Sequence, residues 1–276
     1  MPEGDTLHRV AAGLRPHLLG RPVTAARARV PGPQVGRVVG RTVTGVDALG
    51  KNLLIRFDDG LEIRTHLRLR GSWHRYRPGE PWRRSPARAV LVLEVPGSVA
   101  VCFDAPVVEL FEWRAERLHP SLGRLGPDLL DPAFDGDEAV RRLRDPGRAA
   151  TSIAEALLDQ GALAGIGNVY RSEVLWIERV SPFARIADLD DETLGRLVAT
   201  ARRLLLVNTG PRPGRGRPER ITTDGDPRAA GEPLWVYRRT GRACRRCRTP
   251  IRSARHGTDL PRTVYWCPTC QPGDPP

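Results

Sequence analysis

Lysine is all but missing from this 276-residue chain: Lys51 is the only one among 44 basic residues, so the cationic surface is built from arginine. A guanidinium stays protonated in proteins, whereas an ammonium is a compact, tunable acid or a nucleophile. The lone lysine therefore reads either as a survivor in an arginine-biased composition or as a position where only an amine serves. The chain also lacks any run of about 18 apolar residues, which excludes an ordinary membrane-spanning helix. It lacks a charged-then-apolar leader with a small-residue cleavage site, which argues against secretion. A cytoplasmic protein is the expectation. No internal repeat of useful length is visible, so solenoid and propeller architectures drop out.

What is present is a globular composition, 40% hydrophobic and 28% charged, with a net charge of +12. The length is at the upper edge for one domain, so two are expected. Such a basic balance implies a polyanionic partner, because it attracts phosphate and releases counterions. Nucleic acid, a ribosome or an anionic membrane surface would all satisfy it. Five cysteines in a chain without a leader argue for metal rather than disulfides. Cys244 and Cys247, then Cys267 and Cys270, form two C-x-x-C units separated by nineteen residues. That spacing suits four thiolates around one zinc, a closed and therefore structural site. The intervening residues predict a hairpin finger with Arg252, Arg255, His256 and Arg262 at its tip, fit for a DNA groove or simply a folding staple. Cys102, far away, reads as a core thiol.

Asp5 predicts the cap of a helix over Thr6–Leu18, with Leu7, Val10, Ala11, Leu14 and Leu18 in one stripe and Pro16 bending or ending it. Strand-like runs joined by the turns Asp58-Asp59-Gly60 and Pro96-Gly97-Ser98 predict one hairpin over Leu53–Phe57 and Leu61–Leu67 and another over Ala89–Val95 and Val99–Phe103, followed by a strand at Val107–Phe111. Short strands joined by tight turns predict a sandwich or barrel. After about Gly126 the pattern becomes helical. Ser152 and Glu155 make a capping box for a short helix ending at Gly161, a glycine-bearing turn follows, and helices are predicted over Asn168–Arg179 and Asp191–Val207. Gly210–Pro218 reads as a Pro/Gly/Arg linker.

Two further places could carry chemistry. The turn ending in Asn168 offers backbone N–H groups and a helix dipole to an anion, although many helix pairs turn on glycine. Pro2 follows the initiator methionine, and its removal would leave a secondary amine, partly deprotonated at neutral pH. That amine can add to the aldehyde-equivalent carbon of a deoxyribose and form an iminium electron sink, with Glu3 beside it to shuttle a proton. A second-position proline is otherwise an ordinary neighbour of a start codon.

Taken together, Met1-Pro2-Glu3-Gly4-Asp5-Thr6, Gly50-Lys51, Leu125-Gly126-Pro127-Asp128, Ile166-Gly167-Asn168-Val169-Tyr170 and the terminal cysteine finger resemble the formamidopyrimidine-DNA glycosylase and endonuclease VIII family, more its endonuclease VIII branch. The motifs run in order over roughly residues 2 to 271. The resemblance implies an α+β multidomain fold: an N-terminal β-sandwich with an N-terminal helix over 1–125, a helix–two-turn–helix domain over 126–218, and a zinc finger over 235–272, with DNA between the domains. It implies a monomeric, cytoplasmic and nucleoid-associated enzyme of base excision repair that flips an oxidised base out of double-stranded DNA, removes it and nicks the strand by β,δ-elimination. Pro2 would be the nucleophile, Glu3 the acid/base and Lys51 the lysine that assists elimination. Asn168 and Arg262 would bind phosphate, one structural Zn²⁺ would sit on Cys244, Cys247, Cys267 and Cys270, and Arg68-Leu69-Arg70 would fill the gap left by the flipped base. An inserted Leu69 would offset part of the unstacking cost, unless it is an edge-strand leucine. Two departures stand out: the family's common sixth-residue glutamate is Thr6, and Ile221–Trp235 looks too short for the lesion-capping loop of oxidised-guanine enzymes, which favours oxidised pyrimidines. The rival readings are a DNA-binding module without catalysis and an RNA-binding or ribosome-associated protein.

Overall fold

The computed structural model describes residues 2–29, 31–210, 220–223, 226–229, 231–258 and 261–273. Met1 and most of the Pro/Gly/Arg linker, 211–218, lie outside the described residues. The chain forms two compact units, Met1–Arg124 and Leu125–Pro276.

The first unit opens with helix α1, Gly4–Leu18, whose buried Leu7, Ala11, Leu14 and Leu18 recur at helical spacing. Asp5 does not cap it: Glu3 is the cap, extended at φ −125°, and its carbonyl accepts from Thr6 N and Leu7 N at 2.9 and 3.3 Å. Asp5 instead sits buried in the first turn and pairs with Arg9 at 2.9 Å. Pro16 does not end the helix, which runs on to Leu18; the proline lies in the last turn, where burial of Leu14 and Leu18 holds the register.

Eight strands follow: β1 Ala25–Ala28, β2 Val43–Leu49, β3 Asn52–Phe57, β4 Leu61–His66, β5 Ser72–Tyr76, β6 Ala89–Val95, β7 Ser98–Phe103 and β8 Val107–Glu112. They make two four-stranded antiparallel sheets, ordered β1-β6-β7-β5 and β2-β3-β4-β8. The predicted hairpins are β3–β4 and β6–β7. Leu53, Ile55, Phe57, Leu61 and Ile63 of one sheet and Leu91, Leu93, Ala100 and Cys102 of the other share a core with α1, so Cys102 is indeed a core thiol. The alternate residues of the second sheet, Asn52, Arg56, Glu62, Arg64 and Glu109, line its opposite face.

The second unit holds α2 Gly136–Leu143, α3 Ile153–Ala156, α4 Asn168–Ile177 and α5 Asp191–Val207, then the hairpin β9 Arg252–His256 and β10 Arg262–Trp266. Caps set the helix starts: Asp135 accepts from Asp137 N and Glu138 N, Ser152 from Glu155 N, and Asp190 from Thr193 N. The helix after Ser152 is a single turn and stops well short of Gly161. Val264 and Trp266 of the hairpin join the helical core of Leu163, Tyr170, Val174, Leu197 and Leu204, so the finger belongs to the same compact unit as the helices.

Candidate active site

In the first unit, β2 and β3 pair Leu49 with Asn52, which leaves Gly50 and Lys51 as the two-residue loop of the hairpin. Gly50 takes φ 56°, a left-handed turn that glycine adopts without steric cost. Lys51 is thereby fixed at a tip. α1 runs antiparallel to β2: Gly20 N donates to Val43 O at 2.8 Å, and Arg15 donates to Val46 O at 2.7 Å. The start of α1 therefore points to the Lys51 end of the sheet, and Pro2 and Glu3 lie toward that end. Pro2 is half-buried, and Glu3 has a relative exposure of 0%.

β4 brings a third group to this end, because Asn52 pairs with His66 in register. Burial, then the charges of Arg68, Arg64 and Lys51, push the His66 imidazole down to about 4. His66 is thus a neutral ring among cations, and its Nδ1 accepts from Arg68 N at 3.1 Å. The chain then turns through Arg68, at φ 48°, and closes with Gly71 N on Leu67 O at 2.9 Å. Leu67 is buried while Leu69, at the tip, is 60% exposed. Leu69 is no edge-strand residue: it stands out of a turn, flanked by exposed Arg68 and Arg70. Sequence reasoning missed His66 and Arg64, although the alternation of Leu61–His66 already set both on the face opposite the core.

In the second unit, Gly167 caps α4 and Asn168 is its first residue. The Asn168 side chain is nearly buried: Nδ2 donates to Thr263 O at 2.9 Å, and Oδ1 accepts from Arg171. Arg171 also donates to Thr263 O at 3.0 Å. Asn168 is therefore bonded to the carbonyl of Thr263, the residue after Arg262, so the helix start and the finger strand are joined where both predicted phosphate contacts stand. Arg252 lies elsewhere than expected. It pairs with Trp266 beside Cys267, at the base of the hairpin, while His256 pairs with Arg262 near the tip. His256 Nε2 lies 2.7 Å from Ser152 Oγ, which ties the hairpin to the cap of α3.

Four sulfur atoms, of Cys244, Cys247, Cys267 and Cys270, lie within 4.8 Å of one another. Cys247 Sγ is 3.3 Å from Cys267 Sγ, and Cys244 Sγ is 4.0 Å from Cys270 Sγ. Four thiolates at about 2.3 Å from one ion in a tetrahedron would sit about 3.8 Å apart, so the cluster fits a metal ion. Packing supports it from one side, where Trp176 and Trp235 stack at 4.6 Å and the Arg246 guanidinium lies 4.0 Å from the Trp176 centroid.

Residues 1–106 match the model of the formamidopyrimidine-DNA glycosylase N-terminal domain, and residues 125–209 that of the formamidopyrimidine-DNA glycosylase H2TH domain. The chain is 41% identical to a probable endonuclease 8 2 of Streptomyces coelicolor, over all of this chain and 96% of that one. It is 38% identical to the DNA-(apurinic or apyrimidinic site) lyase Nei2 of Mycolicibacterium smegmatis, over 98% of this chain and 99% of that protein. Endonuclease 8 of Escherichia coli is 31% identical, over 98% and 100% of the two chains. A solved complex between Lactococcus lactis Fpg and abasic-site DNA superposes with a TM-score of 0.79 at 22% identity, covering 98% of this chain and 100% of that one.

Proposed function

The chain belongs to the formamidopyrimidine-DNA glycosylase and endonuclease VIII family, in its endonuclease VIII-like branch, and from that membership we propose how its own residues perform the reaction. It is a DNA glycosylase and abasic-site lyase of base excision repair. Once Met1 is removed, the Pro2 nitrogen attacks C1′ of the damaged nucleoside. The base departs with the glycosidic electron pair and takes up a proton, Glu3 delivers a proton to the sugar ring oxygen as the C1′–O4′ bond opens, and an iminium links Pro2 to C1′. Loss of a C2′ proton into the iminium expels the 3′ phosphate, and a second proton loss, from C4′ of the conjugated intermediate, expels the 5′ phosphate. Lys51 assists these eliminations as a proton carrier. The observation that carries this reading is the placement of Pro2, Glu3 and the hairpin tip bearing Lys51 toward one end of one unit.

Asn168 and Arg262 hold phosphates on the second unit, and Arg68, Leu69 and Arg70 occupy the gap left by the flipped base. Oxidised pyrimidines in double-stranded DNA are the substrates we favour, and the enzyme acts as a monomer in the cytoplasm on nucleoid DNA. Among the described residues no helix is long and apolar enough to cross a membrane. Zn²⁺ is the ion we assign to Cys244, Cys247, Cys267 and Cys270, since a closed set of four thiolates suits it and leaves no position for an activated water. When bound, it braces the finger that carries Arg262.

Borohydride reduction on a duplex with an abasic site tests the central step, using protein whose N-terminal proline has been verified. A covalent protein–DNA adduct containing Pro2 is expected. Absence of any adduct from protein that binds the duplex would leave a DNA-binding module without this catalysis.

A further inference from the structure

We propose that Arg64 is a positioning residue for the Lys51 turn, acting through the side chain of Asn52; the inference rests on the role given to Lys51 above. The contacts form a continuous path on the outer face of the second sheet. Asn52 Nδ2 donates to Leu49 O at 3.0 Å, closing the two-residue loop from inside. Asn52 Oδ1 in turn accepts from Arg64 Nε at 2.9 Å. Arg64 NH1 donates to Glu109 Oε2 at 2.5 Å, directly across the β4–β8 ladder, where Arg64 and Glu109 are register partners. Glu109 Oε2 lies 3.1 Å from His119 Nε2, and His119 Nδ1 accepts from Ser121 N at 3.1 Å. The turn that carries Lys51 is thus tied to β4, to β8 and to the chain beyond β8.

Burial is what makes this path more than surface decoration. Asn52 and Arg64 are both buried, and a buried polar group must find its partners or cost free energy. Asn52 has one amide donor facing Leu49 O and one carbonyl facing Arg64, so its orientation is fixed in only one way. Arg64 bonds both Asn52 and Glu109. Its planar fork makes the two bonds in different directions, which an ammonium on a flexible stem cannot reproduce. Arg64 and Lys51 both act on His66, lowering its pKa. Glu109 takes up its charge, so Arg64 can buttress a turn that already carries a cation.

The experiment compares Arg64→Lys, Asn52→Ala and Glu109→Gln with Lys51→Arg in single-turnover cleavage of an abasic duplex, alongside borohydride trapping and duplex affinity. Arg64→Lys keeps the charge and loses the fork. It is expected to cleave roughly ten- to a hundredfold more slowly, as misplacement of a reacting group does, with duplex affinity and trapped adduct retained. Asn52→Ala should behave alike, the double variant should be no slower than the worse single one, and Glu109→Gln, half-exposed and safe for folding, should show a smaller loss. Wild-type cleavage by Arg64→Lys and Asn52→Ala, with Lys51→Arg impaired, overturns the positioning role alone. Loss of trapping in step with cleavage also overturns it, because the defect then lies upstream of the turn. Unimpaired cleavage by Lys51→Arg removes the role of Lys51 itself and this one with it.

Discussion

Whether residue 51 must be an amine or need only be a cation is a question one substitution separates. Lys51→Arg keeps the charge at the hairpin tip and replaces an amine, which can give up its proton, with a guanidinium, which does not. Its duplex affinity should stay within about twofold in a binding titration while strand cleavage falls by an order of magnitude or more, the share typical of general acid–base groups. Unchanged cleavage would mean that the single lysine is a compositional survivor after all. A second residue-scale expectation concerns Glu62, which is fully buried with Oε2 accepting from Arg56 at 2.7 Å and Oε1 without a partner among the described residues. Burial outweighs Arg56, Glu116 and Asp47 add to it, and the carboxyl is pushed up to about 7 from 4.5. Between those values the fold holds a proton that the unfolded chain has released, so this group makes stability fall as pH rises. His66, pushed down to about 4 from 6.5, acts oppositely: the unfolded chain holds the extra proton, and stability rises with pH across that span. Glu62→Gln removes the first slope only. Its melting temperature should climb more steeply with pH than that of the native protein between 4.5 and 6.5, and parallel melting curves would count against the assignment.

At the scale of elements, what could be read from the sequence was whatever had a helical period or an apolar run set off by a clear turn. Leu61–Leu67 alternates, Leu53–Phe57, Ala89–Val95 and Val99–Phe103 are short apolar runs bounded by tight turns, and these became the two hairpins, while Asp191–Val207 kept its helical stripe from end to end. β2 was missed because Gly45 and a register shift between Val43 and Gly45 interrupt the alternation. β1, Ala-Ala-Arg-Ala, has no β-branched residue to betray it. The site divides in the same way. Lys51 and the cysteines were visible because each is chemically unusual, whereas Arg64 and Asn52 are common residues whose importance is their register across strands. The finger is the element with the clearest dependence on a single part. Cys267→Ser should cost the bound metal, measured by atomic absorption, and weaken duplex binding through loss of the hairpin that carries Arg262. Full metal content in that variant would contradict the four-thiolate site.

For the molecule as a whole, a net charge of +12 makes duplex binding a counterion-release process whose affinity falls linearly with salt on a double-logarithmic plot. Arg262→Ala should lower affinity to a similar extent on any duplex sequence and reduce that slope by about one, as loss of one phosphate contact does. An unaltered slope would place Arg262 off the backbone. Asn168, uncharged and bonded to the finger strand, should leave the slope alone while its loss loosens the hairpin. The lone lysine at the tip of its hairpin has one more consequence, for handling rather than for repair. An arginine-covered protein offers amine-directed reagents almost nothing to react with except Lys51 and the terminal amine of Pro2. Coupling to an activated surface, lysine cross-linking or reductive methylation would therefore be directed, without design, at the two nitrogens assigned to the chemistry.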